Sequence, residues 1–364
     1  MLEHAATTPD HHRRSGLAAF GALDLGTNNC RLLIGAPAGQ GFRVVDSFSR
    51  IVRLGEGLHQ SGRLGAAAME RALAALRACA ERLARRRLRG FRAVATEACR
   101  RAGNGGEFLA RVRAETGLAI EIISAREEAE LALESCTPLL AAPARRALLF
   151  DIGGGSTELA WVRLPTPENG NGHAGPVRPS LIGYASIPLG VVTVAERFGA
   201  AVGTPAGFAA MVDDVAARLQ AFERVHCIGH EIRCGGVQLL GTSGTVTTLA
   251  GVVLGLTRYR RAQVDGVAIS GADADRAMAA LQALGQEGLA RHPCIGPDRA
   301  EFALPGCAIF AAIHRLWPAE RIVVADRGLR EGMLLRMMRG RGAGAAWGRR
   351  GGNGAQAGEA PAPA

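Results

Sequence analysis

The chain has 364 residues, a formal charge of +10 at pH 7 and a pI near 10.1, with 48% apolar and 21% charged residues. That is enough apolar mass for two domains of ordinary size, and it is not the composition of a disordered chain. All 43 basic positions are Arg, which excludes a Walker-A loop and a pyridoxal Schiff base, since both need a lysine.

In chain order, residues 1–16 lack a periodic apolar pattern and read as a disordered tail. Apolar runs at 18–23, 31–35, 91–95, 147–150, 159–163, 237–240 and 321–325 read as strands. Between them lie amphipathic helical stretches such as 66–88 and 205–225, the alternation of an α/β fold. Residues 165–180, rich in Gly, Pro and Asn, read as a surface loop between two strands. The Gly/Ala/Pro-rich stretch 340–364 reads as a second tail. The expected organisation is one lobe over 17–134 and another over 135–339.

The +10 charge favours phosphate-rich partners, although an Arg-rich genome would produce the same bias. Aromatic residues make up only 4%, too few for a stacking groove, so nucleic acid is not an expected partner. Eight cysteines without a Cys-x-x-Cys pair, and no secretory apolar core behind a charged start, point to a reducing cytoplasm. No apolar run approaches the roughly 20 residues that span a bilayer, so no membrane association is expected. His226, Cys227, His230 and Cys234 cluster in sequence, but their spacing matches no common zinc pattern.

One internal repeat stands out. Asp24 laid over Asp151, 127 positions later, aligns two copies of an apolar run, an Asp, a tight Gly turn and a second apolar run. Such a duplication suggests paired lobes whose turns face one another across a cleft. The turns themselves are phosphate-like. Gly26-Thr27-Asn28 and Gly153-Gly154-Gly155-Ser156 supply free N–H groups and hydroxyls where a Cβ would block a phosphate oxygen. Gly244 and Thr245 follow the 237–240 run at the start of a helical stretch, where N–H donors also converge. Each turn alone is an ordinary loop signal; three together are a pattern.

Ser124-Ala-Arg-Glu127 reads as a capping box, with Glu127 reaching back to the Ser124 N–H. On the helix that follows, Glu127, Glu130 and Glu134 share a stripe, and Glu128 points away from it toward Leu131 and Ala132. From the helix alone Glu128 could simply snorkel to solvent.

The segments Asp24-Leu-Gly-Thr-Asn-Asn-Cys-Arg31, Asp151-Ile-Gly-Gly-Gly-Ser-Thr-Glu158, Gly241-Thr-Ser-Gly-Thr245 and Asp326-Arg-Gly-Leu-Arg-Glu-Gly332 together resemble the exopolyphosphatase / guanosine pentaphosphate phosphatase (Ppx/GppA) family. Ala95-Thr-Glu-Ala-Cys-Arg100 and Ile122-Ile-Ser-Ala-Arg-Glu-Glu-Ala129 fall in the same order, and the resemblance covers residues 18–339. It implies an α/β fold of two actin-like (ribonuclease H-like) domains flanking a cleft, without the additional C-terminal helical domains of longer members. It also implies Mg²⁺ and hydrolysis of a terminal phosphoanhydride by carboxylate-activated water.

On that resemblance Glu128 is the expected base and Arg100 a catalytic clamp. Gly26, Thr27, Asn28, Arg53, Gly153, Gly154, Gly155, Ser156, Gly244 and Thr245 would bind phosphate. Asp151, Glu158 and Asp24 would serve the metal. The expected substrate is inorganic polyphosphate, with guanosine pentaphosphate as the alternative, because no Trp or Tyr adjoins the turns in sequence to stack on guanine. Less favoured are an actin-like kinase and a non-catalytic phosphate-binding regulator. A homodimer is one assembly open to the chain. Arg327 stands where the family pattern carries Gly after Asp326.

Overall fold

The computed structural model describes residues 19–39, 41–140, 143–165 and 179–340. Both expected tails, apart from Gly340, and all but the edges of the 165–180 loop lie outside the described residues. No described helix is long and apolar enough to cross a membrane.

Two mixed sheets form the frame. The first contains β1 (Ala19–Leu25), β2 (Asn29–Ala38), β3 (Gly41–Ile51), β4 (Leu88–Ala95) and β5 (Glu121–Ile122), in the order β3-β2-β1-β4-β5. The second contains β6 (Arg146–Ile152), β7 (Thr157–Arg163), β8 (Ser180–Ile187), β9 (Val237–Thr242), β10 (Ala268–Ser270) and β11 (Arg321–Ala325), in the order β10-β11-β9-β6-β7-β8. In both sheets an antiparallel hairpin leads into a parallel neighbour: β1 pairs with β2 and β4 as β6 pairs with β7 and β9. The repeat seen in sequence is therefore a repeat of topology.

Every expected strand is present. Central β1 and β6 are covered on both faces, so they read as unbroken apolar runs. Edge strands β3 and β8 alternate exposed and half-buried residues, and their polar positions hide them from a search for apolar runs.

The register carries the chemistry. Asp24 lies opposite Arg31 in the first hairpin, and Asp151 lies opposite Glu158 in the second. The same backbone position thus holds a cation in one lobe and a carboxylate in the other.

Between the sheets run two helices, Ala125–Cys136 and Leu329–Arg339, packed on each other. The first buries Ala129, Ala132, Leu133 and Cys136 against Leu149, Ala160 and Val162 of the second sheet. The second buries Met333 and Leu334 against Phe20, Ala22 and Leu33 of the first. The chain therefore returns from the second lobe to finish on the first, which a boundary at 135–339 does not anticipate. Arg336 ties the pair at 3.0 Å to Glu134 and 3.8 Å to Glu127, and Arg339 adds a second contact to Glu134.

Only half of the expected capping box forms. Ser124 Oγ accepts from the Glu127 N–H at 3.2 Å, but the Glu127 carboxylate turns outward to Arg92 at 2.6 Å. A full charge partner outbids a neutral N–H.

The helices cross at Gly332, where an added Cβ would lie 2.1 Å from the Leu131 carbonyl oxygen. Backbone cannot yield there as a side chain can. Gly332→Ala should lower unfolding free energy by about 1–3 kcal/mol through overpacking, read from the urea midpoint; an unchanged midpoint would show that the helices can slide apart at no cost.

Candidate active site

The three turns meet at the bottom of a cleft of about 580 Å³ between the sheets. In the first turn the Gly26 N–H donates to the Asn29 carbonyl at 2.9 Å, and the segment after β3 clasps its outer side through Val52 N–H to Asn28 O (2.8 Å) and Gly55 N–H to Thr27 O (2.9 Å). The second turn is closed by Gly153 N–H to Ser156 O at 2.9 Å and backed by the N–H groups of Val191 and Val192. The third begins at Ser243, whose φ of 116° is strained for a residue with a Cβ. Its hydroxyl accepts from the Val246 N–H and caps the helix Gly244–Val253.

The first two turns interlock. A Cβ on Gly154 would sit 3.1 Å from the Asn28 nitrogen, and one on Gly155 would sit 2.6 Å from Thr27 Oγ1. Glycine is what lets the lobes approach this closely. Beside the contact, Asn28 Oδ1 is buried without a hydrogen-bond partner, a vacancy in polar satisfaction of the kind found at ligand sites.

Six carboxylates line the cleft: Asp24, Glu128, Asp151, Glu158, Asp326 and Glu331. Burial pushes the first four up. Asp24 is raised by burial against the pull of Arg31 and Arg330. Asp151 reaches about 6, again through burial, with Arg31 opposing and Asp24 adding to the rise. Glu158 is raised well above its ordinary range by burial and by Glu128 and Asp151, although its Oε1 accepts from the hydroxyls of Ser156 and Ser186. Glu128 rises to about 7 because burial outweighs the attraction of Arg100 at 3.1 Å. Desolvation beats pairing at each of these four.

The carboxylates are spread along the wall. No three His, Cys, Asp or Glu among the described residues come close enough to hold an ion by themselves. The donor set is all hard oxygen, which suits a cation that takes one or two protein carboxylates and completes its shell with water and phosphate.

The expected residues divide clearly. Glu128, Asp24, Asp151, Glu158 and the turn residues Gly26, Thr27, Asn28, Gly153, Gly154, Gly155, Ser156, Gly244 and Thr245 all line the cleft. Arg100 does not. It stands behind Glu128, shared among that carboxylate, Glu97 at 2.8 Å and the Ile123 carbonyl at 2.9 Å, so it positions the expected base. Arg53 also lies off the cleft wall, with φ of 48°, its guanidinium on Glu301 and 5.8 Å from the centre of the Phe302 ring.

The arginines that do line the cleft are Arg31, Arg299, Arg327 and Arg330. The signal for Arg31 was present in sequence: it follows Asp24 at the interval by which Glu158 follows Asp151. Arg327, the departure from the family pattern, is held by Asp265 through Nε and a terminal nitrogen, both at 2.9 Å. Tyr259 and Phe302 also line the cleft, with the Tyr259 hydroxyl 2.6 Å from Asp326 Oδ2. This corrects the expectation that no Tyr adjoins the turns, because the fold brings back a ring that is distant along the chain.

Twin sheets of one strand order, with phosphate turns facing across a cleft, define an actin-like two-lobed fold. The sequence pattern of the Ppx/GppA phosphatase family matches residues 33–340, and the chain belongs to that family. It is 30% identical over 322 residues to a protein of Aeromonas salmonicida (strain A449) named guanosine-5'-triphosphate,3'-diphosphate pyrophosphatase, a match covering 86% of this chain and 58% of that one. The chain thus spans little more than half the length of this curated relative. Among solved structures, an exopolyphosphatase-like protein superposes with a TM-score of 0.76 at 27% identity, covering 88% of this chain and 97% of that one. The Aquifex aeolicus family member gives a TM-score of 0.70 at 25% identity, with the same coverages.

The raised Glu128 has a consequence for stability. The unfolded chain loses this proton near the ordinary value of 4.5 and the folded protein only near 7, so the carboxylate destabilises the fold progressively across that window. Glu128→Gln has no such proton to lose. Its melting temperature relative to wild type should therefore climb between about pH 5 and about pH 8; a difference that falls with pH would contradict the raised value.

Proposed function

We propose that the protein hydrolyses the terminal phosphoanhydride of a polyphosphorylated substrate, releasing orthophosphate, with Glu128 as general base. The observation that carries this reading is Glu128 itself, a carboxylate with a pKa of about 7 that faces, from a helix, the cleft where the phosphate turns meet. A base with a pKa near working pH combines a useful ionised fraction with real proton affinity. Glu127, its neighbour, is spent on Arg92.

The turns bring backbone N–H groups to the terminal phosphate, and Arg31 brings positive charge to the same wall. Arg100 keeps the Glu128 carboxylate aimed while burial keeps it basic. Water then adds to phosphorus as Glu128 accepts its proton. The bridging oxygen departs with the bonding electrons on the remaining phosphate chain. Asp151 and Glu158, with Asp24 nearby, are the residues that would hold Mg²⁺, which when bound offsets charge on the phosphate oxygens.

For the substrate, inorganic polyphosphate is favoured by the +10 charge and by four arginines on the cleft wall. Guanosine pentaphosphate is the second reading. Tyr259 and Phe302 in the cleft offer apolar faces to a base, and the Aeromonas salmonicida relative bears a guanosine-nucleotide name.

Glu128→Gln should leave substrate binding nearly intact and lower kcat about 100-fold or more, whereas Glu127→Gln should stay close to wild type. The reverse ranking in a phosphate-release assay without any acceptor would move the base to the neighbour. Comparing kcat/KM for long-chain polyphosphate and guanosine pentaphosphate at several salt concentrations tests the substrate. Polyphosphate should lead, and its advantage should shrink with salt as exposed charge is screened over about 8 Å at physiological ionic strength; a lead for the nucleotide at every salt concentration would make it the substrate.

A further inference from the structure

Two of the cleft arginines contrast sharply although they stand three residues apart. Arg327 is fixed by Asp265. Arg330 has no hydrogen-bond acceptor among the described residues, and the one carboxylate within 4 Å is Glu331 Oε1 at 3.9 Å. That oxygen already accepts from Arg261 at 3.2 Å, and its twin Oε2 accepts from the Gly328 N–H at 3.1 Å. Glu331 is therefore spent. Five N–H donors of Arg330 are left over.

The position is also a poor one for a cation. Arg330 is the second residue of the helix Leu329–Arg339, where the helix dipole opposes positive charge. Its side chain is only 20% exposed, and Arg31 adds like-charge repulsion. Burial pushes its pKa down, further than Glu331 and Asp24 pull it up. A guanidinium kept in such a place, with no partner and lining the cleft, is matched to an anion that comes from outside.

The place shows which anion. Arg330 lines the same cleft as Arg31, Glu128 and the three phosphate turns, so the anion that fits there is a phosphate group of the substrate.

Resting on the phosphohydrolase reading above, we propose that Arg330 is a catalytic residue that, with Arg31, seats a phosphate group of the substrate beside the bond that breaks. In this step the water oxygen bonds to the terminal phosphorus, its proton passes to Glu128, and the bridging P–O bond breaks. The electron pair stays on the departing phosphate, and Arg330 and Arg31 meet the charge that shifts among the phosphate oxygens. The charge is met in the bound substrate and more strongly in the transition state, so KM should rise and kcat should fall further.

The test is Arg330→Met in the full chain, which keeps an unbranched side chain and removes the charge. Its melting temperature should equal or exceed wild type by a few degrees, since a cation opposed by burial, by Arg31 and by the helix dipole is gone. Its kcat should fall about 100-fold, as for loss of one preorganised donor. The rise in melting temperature that tripolyphosphate with Mg²⁺ gives the wild type should fall by at least half. A lower melting temperature or failure to fold would mean that the cation holds the structure and would overturn the proposal, as would a kcat within twofold of wild type. Should the wild type release no phosphate at all, the hydrolase reading fails on its own, and the tripolyphosphate shift then decides: lost in Arg330→Met it supports the seat, kept it overturns it.

Discussion

The cleft depends on the close approach of Gly154 and Gly155 to Thr27 and Asn28. Nothing larger than hydrogen fits at either glycine without pushing on the backbone of the opposite turn or on Thr27. Because the contact is made by the two phosphate turns themselves, the surfaces that would hold substrate are also the surfaces that join the lobes. Loosening the contact would widen the cleft, let water reach the carboxylates and weaken the burial that raises them. Geometry and electrostatics at this site are therefore one property.

That coupling explains why so many acids share so little water. Six carboxylates line the wall, and burial is the first cause of the rise at Asp24, Glu128, Asp151 and Glu158. Arginines answer them unevenly. Arg100 is committed to Glu128 and Glu97, and Arg327 is committed to Asp265, whereas Arg31 faces Asp24 across the hairpin. A site with this excess of protonatable oxygen is well suited to a cation arriving with its own phosphate, since the incoming metal charge would drive protons off the acids that bind it.

Much of this was legible in sequence, for physical reasons that differ by element. Central strands and the two Asp turns showed because burial on both faces demands continuous apolar residues and close turns demand glycine. Edge strands β3 and β8 escaped because half their residues meet solvent. Glu128 was separable from Glu127 by helical phase alone, but the outward turn of Glu127 to Arg92 needed a tertiary partner. Arginines were the hardest class. Nothing local distinguishes Arg53 and Arg100, which other protein groups absorb, from Arg330, which faces the cleft, and the repeat spacing alone singles out Arg31. Tyr259 was invisible for a similar reason, since only the folded path returns it to the wall beside the third turn.

The duplication points to how the two lobes came to divide their work. Asp24 and Asp151 occupy the same place after equivalent strands, and their cross-strand partners are Arg31 and Glu158. One shared register thus yields an acid-base pair in the first lobe and an acid-acid pair in the second. Closing the lobes on each other then brings arginines and paired carboxylates into one cleft. A phosphoanhydride needs both, because its oxygens carry negative charge that arginine can meet directly and that carboxylates can meet only through a metal. Twin arginine walls would leave no oxygen ligands for that metal, and twin carboxylate walls would repel the phosphates in its absence. The exchange of Arg for Glu at equivalent register positions is one difference that gives the cleft two unlike sides.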